Sequence, residues 1–371
     1  MAATGRKTYK RKKKRRSRTL LFSVLFLAVL GLAVVIYQMV FNARAATVSM
    51  TATPISVAST YINTGDGLLY QTDGQIHFYH LNDSRKNYTY GVGASDIRMS
   101  GSAAMTVVFN EASLQVVGRN QPISFPGRIR EVECGTDYLA VLLTPGGGTD
   151  SLIVITVGGA PVDQMSFGDQ YIVDFGFYKT GSEMLWIETL NVNSGTPTTS
   201  ITTYDLSKKA ATGVMHVQNQ LVDELYLTSN SIFVVGTNQI IRYTHSGNKE
   251  VYRVTIYGYE VMDFSSAGNQ PTFLLAPRGG DFHSVKILRL AEGASPNAAE
   301  TFLQLPMEGI AAFMMGDQLA VTSREKLLIY TLAGKLSSEA SFEISIDEAV
   351  KLTDRMLLLS AGGLYYTAKT R

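Results

Sequence analysis

The stretch GLLYQTDGQIHFYHL, residues 67–81, contains two β-prone runs on either side of a tight turn. Asp73-Gly74 is a strong predictor of a two-residue β-hairpin, because both residue types tolerate the positive φ that such a turn requires. The first run, GLLYQT, is apolar over consecutive positions rather than at alternate ones. A strand with that pattern is covered on both faces. The stretch therefore predicts a hairpin whose first strand lies between neighbouring sheets.

Eight runs of this kind follow one another along the chain, and a second β-prone run comes after each. The distance from one run to the next is 34 to 48 residues, and a four-stranded propeller blade takes about 40–50 residues. We therefore predict an all-β protein, a β-propeller of eight blades in which each run is the second strand. The runs are GLLYQT from Gly67, AAMTVVF from Ala103, YLAVLLT from Tyr138, EMLWIET from Glu183, SIFVVGT from Ser231, TFLLAP from Thr272, QLAVTS from Gln318 and RMLLLS from Arg355.

Other architectures fit the repeat less well. Because the spacing is uneven, seven blades plus an irregular segment is the main alternative to eight. A β-sandwich rarely needs eight similar units, and the rungs of a solenoid are usually shorter than these units. The propeller is therefore the favoured architecture.

The two ends of the repeat region predict how the ring closes. The last unit ends with its third strand near Arg371 and lacks a fourth one. The β-prone segment TVSMTATPISV, Thr47–Val57, precedes the first unit and is predicted to supply that strand, which removes exposed sheet edges. SFEISI, residues 341–346, alternates apolar and polar residues. This alternation predicts the half-exposed outer strand of a blade.

Before the repeats, LLFSVLFLAVLGLAVVIYQMVF, Leu20–Phe41, contains no charged residue. As a helix it measures about 33 Å, enough to cross a hydrocarbon core of about 30 Å. We predict a transmembrane helix over residues 19–41. Ala43-Arg44-Ala45 has the pattern of a signal peptidase site, so a cleaved signal peptide is the alternative, but the apolar run is longer than a typical signal sequence.

Residues 1–18 form a basic tail without an acidic residue. Such a flank holds its end of a membrane helix in the cytoplasm and attracts anionic lipid headgroups. The prediction is a single-pass protein of a bacterial cytoplasmic membrane, with its N-terminus inside and its propeller outside the cytoplasm. A nucleic-acid or nuclear-import patch is the alternative, disfavoured because an apolar segment follows directly. The basic cluster consists of Lys10, Arg11, Lys12, Lys13, Lys14, Arg15, Arg16 and Arg18.

Charge and cysteine content characterise the body that follows. Residues 1–44 hold 11 of the 33 Lys and Arg residues and none of the 31 Asp and Glu residues, so the remainder carries a net charge of −9. Such a body is not suited to binding nucleic acid. Cys134 is the only cysteine, and an exported domain without disulfides favours a bacterial origin. We assign residues 42–57 to a linker with the closing strand, and 58–371 to the extracytoplasmic propeller.

Motifs that identify a catalytic or metal site are missing from the sequence. It contains no Gly-x-Ser-x-Gly elbow, Walker loop or EF-hand loop. His77 and His80 are the only histidines close in sequence, and three residues apart on a strand they point to opposite faces. Since zinc usually needs three or four nitrogen or sulfur ligands, we predict no metal site, no cofactor and no catalytic residue.

Acidic residues recur seven to ten residues before the second strand in six of the eight units. This position falls in the innermost strand, or in the loop before it, near the central channel. A structural interpretation is a carboxylate that accepts backbone N–H bonds at a turn. A functional interpretation is an acidic ring at the channel mouth that binds a cation or a basic ligand. The six residues are Asp96, Glu131, Asp174, Asp223, Asp263 and Glu348.

The order of the basic tail RKTYKRKKKRRSR, the apolar segment and the repeats resembles a family of bacterial single-pass proteins of unknown function. The resemblance implies an exported WD40-like or quinoprotein-like propeller. WD40 repeats carry Gly-His and Trp-Asp dipeptides, and neither occurs in this sequence. Quinoprotein dehydrogenases carry repeated tryptophan motifs, whereas Trp186 is the only tryptophan. The comparison therefore implies no quinone cofactor.

Two functions follow from this organisation. The first is a membrane-anchored, non-enzymatic interaction or scaffold module that binds a protein or an envelope polymer, a role that suits rigid rings with variable loops. The alternative is a channel-centred enzyme of the lyase, lactonase or glycosidase type, which requires converging acids with shifted pKa values or a metal. A sensor is less favoured, because the tail is too short to hold a signalling domain.

Overall fold

A computed structural model describes Gly31 and residues 46–91, 96–119, 121–144, 149–193, 195–245, 248–267, 270–279, 282–291, 293, 298–353 and 355–368. The basic tail, the linker 42–45 and, apart from Gly31, the predicted transmembrane helix lie outside the described residues. Among those described, no helix has the length and apolarity needed to cross a bilayer.

The described strands form eight sheets, the blades. Within each blade, strands that follow one another in the chain are antiparallel neighbours, and one further strand joins the edge of one blade in parallel. A short 3-10 helix, Ser84–Lys86, lies within blade 1. Two strands precede the first blade, β1 (Ala46–Thr47) and β2 (Met50–Ala52). The remaining strands are, in blade 1, β3 (Tyr61–Asn63), β4 (Gly67–Thr72), β5 (Gln75–His80) and β6 (Tyr88–Gly91); in blade 2, β7 (Arg98–Gly101), β8 (Thr106–Phe109), β9 (Ser113–Val116) and β10 (Ile123–Ser124); in blade 3, β11 (Arg128–Cys134), β12 (Tyr138–Thr144), β13 (Ser151–Thr156) and β14 (Pro161–Ser166); in blade 4, β15 (Tyr171–Thr180), β16 (Ser182–Asn191), β17 (Thr198–Asp205) and β18 (Ala210–Gln218); in blade 5, β19 (Val222–Leu227), β20 (Ser231–Gly236), β21 (Gln239–Thr244) and β22 (Glu250–Thr255); in blade 6, β23 (Tyr259–Ser265), β24 (Thr272–Pro277), β25 (Ser284–Arg289) and β26 (Ala299–Gln304); in blade 7, β27 (Ala311–Met315), β28 (Gln318–Thr322), β29 (Lys326–Thr331) and β30 (Leu336–Ser341); and in blade 8, β31 (Glu348–Lys351), β32 (Met356–Ser360) and β33 (Gly363–Thr367).

The eight-bladed propeller is confirmed, and the seven-bladed alternative is wrong. Each of the eight apolar runs supplies the second strand of its blade. The first strands of neighbouring blades contact one another, as in the pairs β3–β7, β7–β11 and β11–β15. The first strands therefore line the central channel, and the fourth strands form the outer rim.

The second strand β12 shows why these runs are apolar at successive positions. Leu139, Val141 and Leu143 pack into the core shared with blade 2. Ala140 and Leu142, which point to the other face, pack against blade 4. Because side chains alternate between the two faces of a strand, a blade between two neighbours needs apolar residues on both.

The predicted closing strand is confirmed in β2. It pairs antiparallel with β33, Met50 opposite Thr367, and so completes blade 8. In addition, β1 pairs in parallel with the fourth strand of blade 7, with Ala46 opposite Ala340. This second pairing was not predicted from the sequence. Val48, between β1 and β2, is buried in the core between blades 7 and 8. The segment thus joins two blades.

SFEISI does not form the outer strand of a blade, so that prediction is wrong. The outer strand of blade 7 is β30, which ends at Ser341. Residues 342–347 connect blade 7 to blade 8, and their backbone N–H groups at Phe342 and Ile346 donate to Glu325 and Arg324 carbonyls at 2.8 Å. Phe342 and Ile346 are nevertheless buried. The alternation therefore reflects which side chains are buried, and not a strand pairing.

The antiparallel blades give the ring two different faces. The face that we call upper carries the loops between second and third strands and the loops between successive blades. The lower face carries the loops between first and second strands and between third and fourth strands. Since β1 runs parallel to the fourth strand β30, the chain enters the ring from the lower face, at the outer rim.

Candidate interaction surface at the channel mouth

The structure places the six acids selected from the sequence along the channel wall. Asp96 lies in the loop before β7, and the other five lie in first strands. These five are Glu131 in β11, Asp174 in β15, Asp223 in β19, Asp263 in β23 and Glu348 in β31. Their role as a ligand site stays a prediction.

The first strands of blades 3–6 share a β-bulge in the same part of the strand. In each strand one extra residue interrupts the pairing with the second strand, and the residue after it is acidic. A bulge changes the direction in which side chains point. In all four strands, the extra residue and the acid after it are exposed or half-buried. The four pairs are Arg130-Glu131, Val173-Asp174, Asp223-Glu224 and Met262-Asp263.

Glu224 therefore occupies in blade 5 the position that Asp174 occupies in blade 4. Asp223 is the extra residue of its bulge, equivalent to Val173. Asp223 and Glu224 lie nine and eight residues before Ile232, so spacing alone does not choose between these two acids. The bulge decides that Glu224 takes the equivalent position.

Hydrogen bonds hold some of these carboxylates in structural roles. Asp263 accepts from the backbone N–H of Phe264 at 2.8 Å and of Met314 at 2.7 Å, and its Oδ2 lies 2.6 Å from Lys351 Nζ. It thereby links the first strands of blades 6, 7 and 8. Asp223 pairs with Arg278 of blade 6 at 3.0 Å. Asp174 likewise accepts from the backbone N–H of Phe175 at 2.8 Å. For Asp263 and Asp174, the structural interpretation made from the sequence applies.

Several acids of blades 3–5 lack the cationic partners that Asp263 and Asp223 have. Burial raises the pKa of Glu133 to about 7, and repulsion from Glu131 and Asp174 adds to this. Burial likewise raises the pKa of Glu188 to about 7, with repulsion from Asp174 and Asp223. The pKa of Glu131 is also raised, chiefly by burial. This side of the channel therefore holds more carboxylates than its nearby cations balance.

Glu188 is the most enclosed of these acids. It lies opposite Asp174 in the β15–β16 ladder, so the two side chains share a face of blade 4. Only 7% of its surface is exposed, and none of the described residues donates a hydrogen bond to it. Two sequence signals could have indicated these acids. Glu188 is a charged residue in the apolar second strand EMLWIET, and Glu131 and Glu133 alternate with other residues in EVEC. Neither Glu133 nor Glu188 is among the six acids predicted from the sequence.

Replacing Glu188 with glutamine will change how stability depends on pH. The folded pKa of about 7 exceeds the ordinary value of 4.5, so the folded wild type binds more protons between these values and loses stability as pH rises through them. Glu188→Gln removes this loss. Thermal or urea unfolding at pH 8 will show the variant more stable by about 2–3 kcal/mol, and the difference will disappear near pH 4.5.

The matched control is Glu339→Gln in blade 7. Glu339 lies on the surface and pairs with Lys326 at 2.7 Å, so its loss changes stability by less than about 1 kcal/mol. A Glu188→Gln variant that is less stable than wild type at pH 8 would contradict the assignment.

Exposed apolar side chains concentrate on the upper face over blades 4–6. Tyr257 is 78% exposed in the loop between blades 5 and 6, and Leu221 is 56% exposed in the loop between blades 4 and 5. The upper end of blade 4 adds exposed Tyr171, Val173 and Val192, and Met262 lies at the bulge of blade 6. We call these six residues the upper apolar patch. Among the described residues, the remaining large exposed hydrophobic side chains are Val57, in the loop between β2 and β3, and four in fourth strands, namely Tyr88, Val214, Phe302 and Leu336.

The two faces also differ in charge. Among the described residues, the loops between third and fourth strands on the lower face contain one acid, Asp83, and the seven basic residues Arg85, Lys86, Arg119, Lys208, Lys209, Lys249 and Lys335. On the upper face, the described loops between blades contain no basic residue and the five acids Asp96, Asp169, Glu308, Glu343 and Asp347. The outer loops of the lower face are therefore basic, and the loops between blades on the upper face are acidic.

The described part of the chain contains no group of three or more His, Cys, Asp and Glu side chains that could hold a metal ion. His77 Nδ1 lies 3.0 Å from Thr89 Oγ1, while His80 Nδ1 accepts from the backbone N–H groups of Asn82 and Asp83 at 3.0 Å. The two histidines thus have separate structural partners. Cys134 is buried, and burial raises the pKa of its thiol to about 12, which makes it a poor nucleophile.

Comparison with known proteins identifies the family. A family model described as a family of unknown function, DUF5711, matches residues 42–364. The chain belongs to this family. No curated protein matches the chain in sequence. The resemblance inferred from the sequence is thus confirmed as to the family, and the membrane-spanning segment stays a prediction.

Solved structures agree with the propeller fold of this DUF5711 member. BamB from Moraxella catarrhalis superimposes with a TM-score of 0.55 at 11% identity, covering 87% of this chain and 98% of BamB. The WD40 domain of SCAP from fission yeast gives a TM-score of 0.56 at 8% identity, covering 86% of this chain and 97% of that domain. At such low identity the likeness extends to the fold alone.

Proposed function

We propose that this protein is a membrane-anchored β-propeller that binds a protein partner or envelope polymer through its upper face. Residues 19–41 span a bacterial cytoplasmic membrane, the basic cluster 10–18 lies on the anionic cytoplasmic surface, and the propeller lies outside the cytoplasm. The observation that carries the proposal is the difference between the two faces: the chain enters at the lower face, whereas the upper apolar patch lies on the opposite one.

The short linker supports a fixed orientation of the ring. Four residues, 42–45, separate the apolar segment from β1, and five fully extended residue steps reach about 18 Å. The lower face is therefore held close to the membrane. Its outer loops are basic, which suits a nearby surface of anionic lipid headgroups. The upper face then points away from the membrane, toward a partner.

The function is tested in intact cells with the full-length chain. We expect the protein to stay in the membrane after an alkaline carbonate wash, and protease added outside spheroplasts to degrade the propeller. Deleting residues 20–41 will release it from the membrane. Recovery of the full-length protein in the soluble fraction would contradict the anchor, and protection from external protease would contradict the orientation.

Binding is tested by crosslinking in the same cells and mass spectrometry of the captured proteins. The control chain keeps residues 1–45 but carries an unrelated soluble domain in place of the propeller. We expect a reproducible partner that the control does not capture. Identical captures from the two chains would contradict an interaction role for the propeller.

A channel-centred enzyme is the second candidate, and the raised pKa values of Glu133 and Glu188 favour it. A carboxylic acid with a pKa of about 7 suits general acid–base catalysis at neutral pH. Glu131 and Glu133 also line a depression of about 720 Å³ between the first strands of blades 1–3. Glycosidase, lyase or lactonase turnover that Glu188→Gln and Glu133→Gln both abolish would replace the binding proposal.

A further inference from the structure

We propose that the upper apolar patch, together with the acidic channel wall of blades 4 and 5, binds a polypeptide segment rich in lysine or arginine and in apolar residues. The inference rests on the proposed function, because it names the class of partner and the part of the propeller that binds it. It is carried by two independent features, an exposed apolar surface and a neighbouring set of carboxylates.

The apolar part of the surface draws on three successive blades. Tyr257 and Leu221 belong to successive loops between blades, and their exposed fractions are 78% and 56%. Aromatic residues are enriched in the cores of protein interfaces, and clustered exposed apolar groups on a soluble domain indicate a binding site. Val173 and Met262, at the bulges of blades 4 and 6, extend the patch from the loops toward the channel.

The carboxylates give this surface its preference for a basic partner. Asp174 and Glu224 follow the bulges of blades 4 and 5 and are exposed to the channel. Behind them, Glu188 is 93% buried and faces Asp174, with no hydrogen-bond donor among the described residues. Because its carboxylate oxygens are not fully buried, an incoming ammonium or guanidinium group can reach them and supply both charge and N–H donors.

The charges of neighbouring elements explain why the site lies over blades 4 and 5 and not elsewhere. In blade 6, Asp263 is neutralised by Lys351 and two backbone N–H groups. In blades 2 and 3, Arg98 and Arg130 accompany Glu131. Arg278 pairs with Asp223 on one side of the site, which leaves Asp174, Glu188 and Glu224 without a cationic partner among the described residues.

Two other occupants fit these observations less well. A metal ion lacks a suitable set of ligands in the described chain. An anionic membrane or polymer would be repelled, because the described loops between blades carry acids and no basic residue. Charge complementarity therefore selects a cationic polypeptide.

The position of the partner is tested by placing a photo-crosslinking amino acid in the full-length chain in cells. Tyr257 is the test position, and Phe302, which is 65% exposed on the outer strand of blade 6, is the matched control. We expect the crosslink from position 257 to map to a partner segment with several Lys or Arg residues between apolar ones, and no such crosslink from position 302. A crosslink from 257 to an acidic segment, to a second copy of this chain or to lipid alone overturns the inference. If a partner is captured from position 302 and not from 257, the proposed function stands and this inference fails.

The chemistry is tested with the purified full-length protein in detergent and a fluorescent synthetic peptide of alternating lysine and leucine, with a glutamate–leucine peptide as its counterpart. We expect binding of the basic peptide only, weakened about tenfold or more by Tyr257→Ser with Leu221→Ser and by Asp174→Asn with Glu188→Gln, and weakened by added salt. Phe302→Ser is the control and leaves binding unchanged. Circular dichroism of each variant verifies the fold. Equal affinity for the two peptides, or no loss in either double variant that remains folded, overturns the inference.

Discussion

A body that begins at Thr53 will unfold at a temperature on the order of 10 °C below that of the body 46–371, because it lacks β1 and β2. β2 supplies the fourth strand of blade 8 through its pairing with β33. Val48 and Met50 pack into the core between blades 7 and 8. Burying two such side chains contributes about 3–6 kcal/mol, and the lost ladder hydrogen bonds contribute about 1 kcal/mol each. Since domains are stable by only about 5–15 kcal/mol, this loss removes a large part of the stability.

The shorter body will also expose β33 as an unpaired edge, which favours association between copies. The matched control is the body 48–371, which lacks only β1 and keeps Val48 and β2. We expect it to melt within a few degrees of the body 46–371. Differential scanning calorimetry measures the transitions, and light scattering measures association. A body 53–371 that melts like the body 46–371 and stays monomeric would contradict closure by β2.

Phe273→Ala will lower the free energy of unfolding by about 3–5 kcal/mol. Phe273, in the second strand of blade 6, is fully buried. Its ring centroid lies 5.4 Å from that of Phe233 and 4.8 Å from that of Phe264, with Tyr226 at 5.8 Å. These rings join blades 5 and 6, so the truncation leaves a cavity between two blades that the rigid ring can close only in part.

The matched control for this variant is Phe302→Ala in the same blade. Phe302 is 65% exposed, and Lys286 Nζ lies 5.4 Å from the centroid of its ring, so its loss costs no more than about 1 kcal/mol. Chemical denaturation measured by circular dichroism gives both values. Equal losses from the two substitutions would mean that the contact between blades 5 and 6 contributes little to the stability of the ring.

Local patterns were sufficient to predict most of the architecture. The continuous apolar character of runs such as YLAVLLT predicted second strands buried on both faces, and Leu139 and Ala140 in fact pack against different neighbouring blades. The missing fourth strand of the last unit predicted that residues 47–57 close the ring. These features depend on periodicity and on the number of strands, which a sequence carries directly.

Other features could not be predicted because they depend on one-residue shifts or on partners far apart in the chain. The bulge in β19 places Glu224, and not Asp223, in the equivalent channel position. Lys351 neutralises Asp263 across 88 positions of sequence. SFEISI has the alternation of a strand but lies in the connection between two blades, because burial of Phe342 and Ile346 needs no pairing partner.

The amino-acid sequence by itself determined the all-β class, the second strands and the closing segment, since each of these follows from local patterning, and it favoured eight blades over seven. Only the tertiary structure decided which acids share one environment. The pKa values of Glu133 and Glu188 are raised because folding removes water from these side chains and also brings them near Asp174. The tertiary structure also decided that exposed apolar residues of three blades lie on one face, opposite the face where the chain enters. Burial and proximity are properties of the packed ring, and they arise only when strands far apart in sequence are brought together.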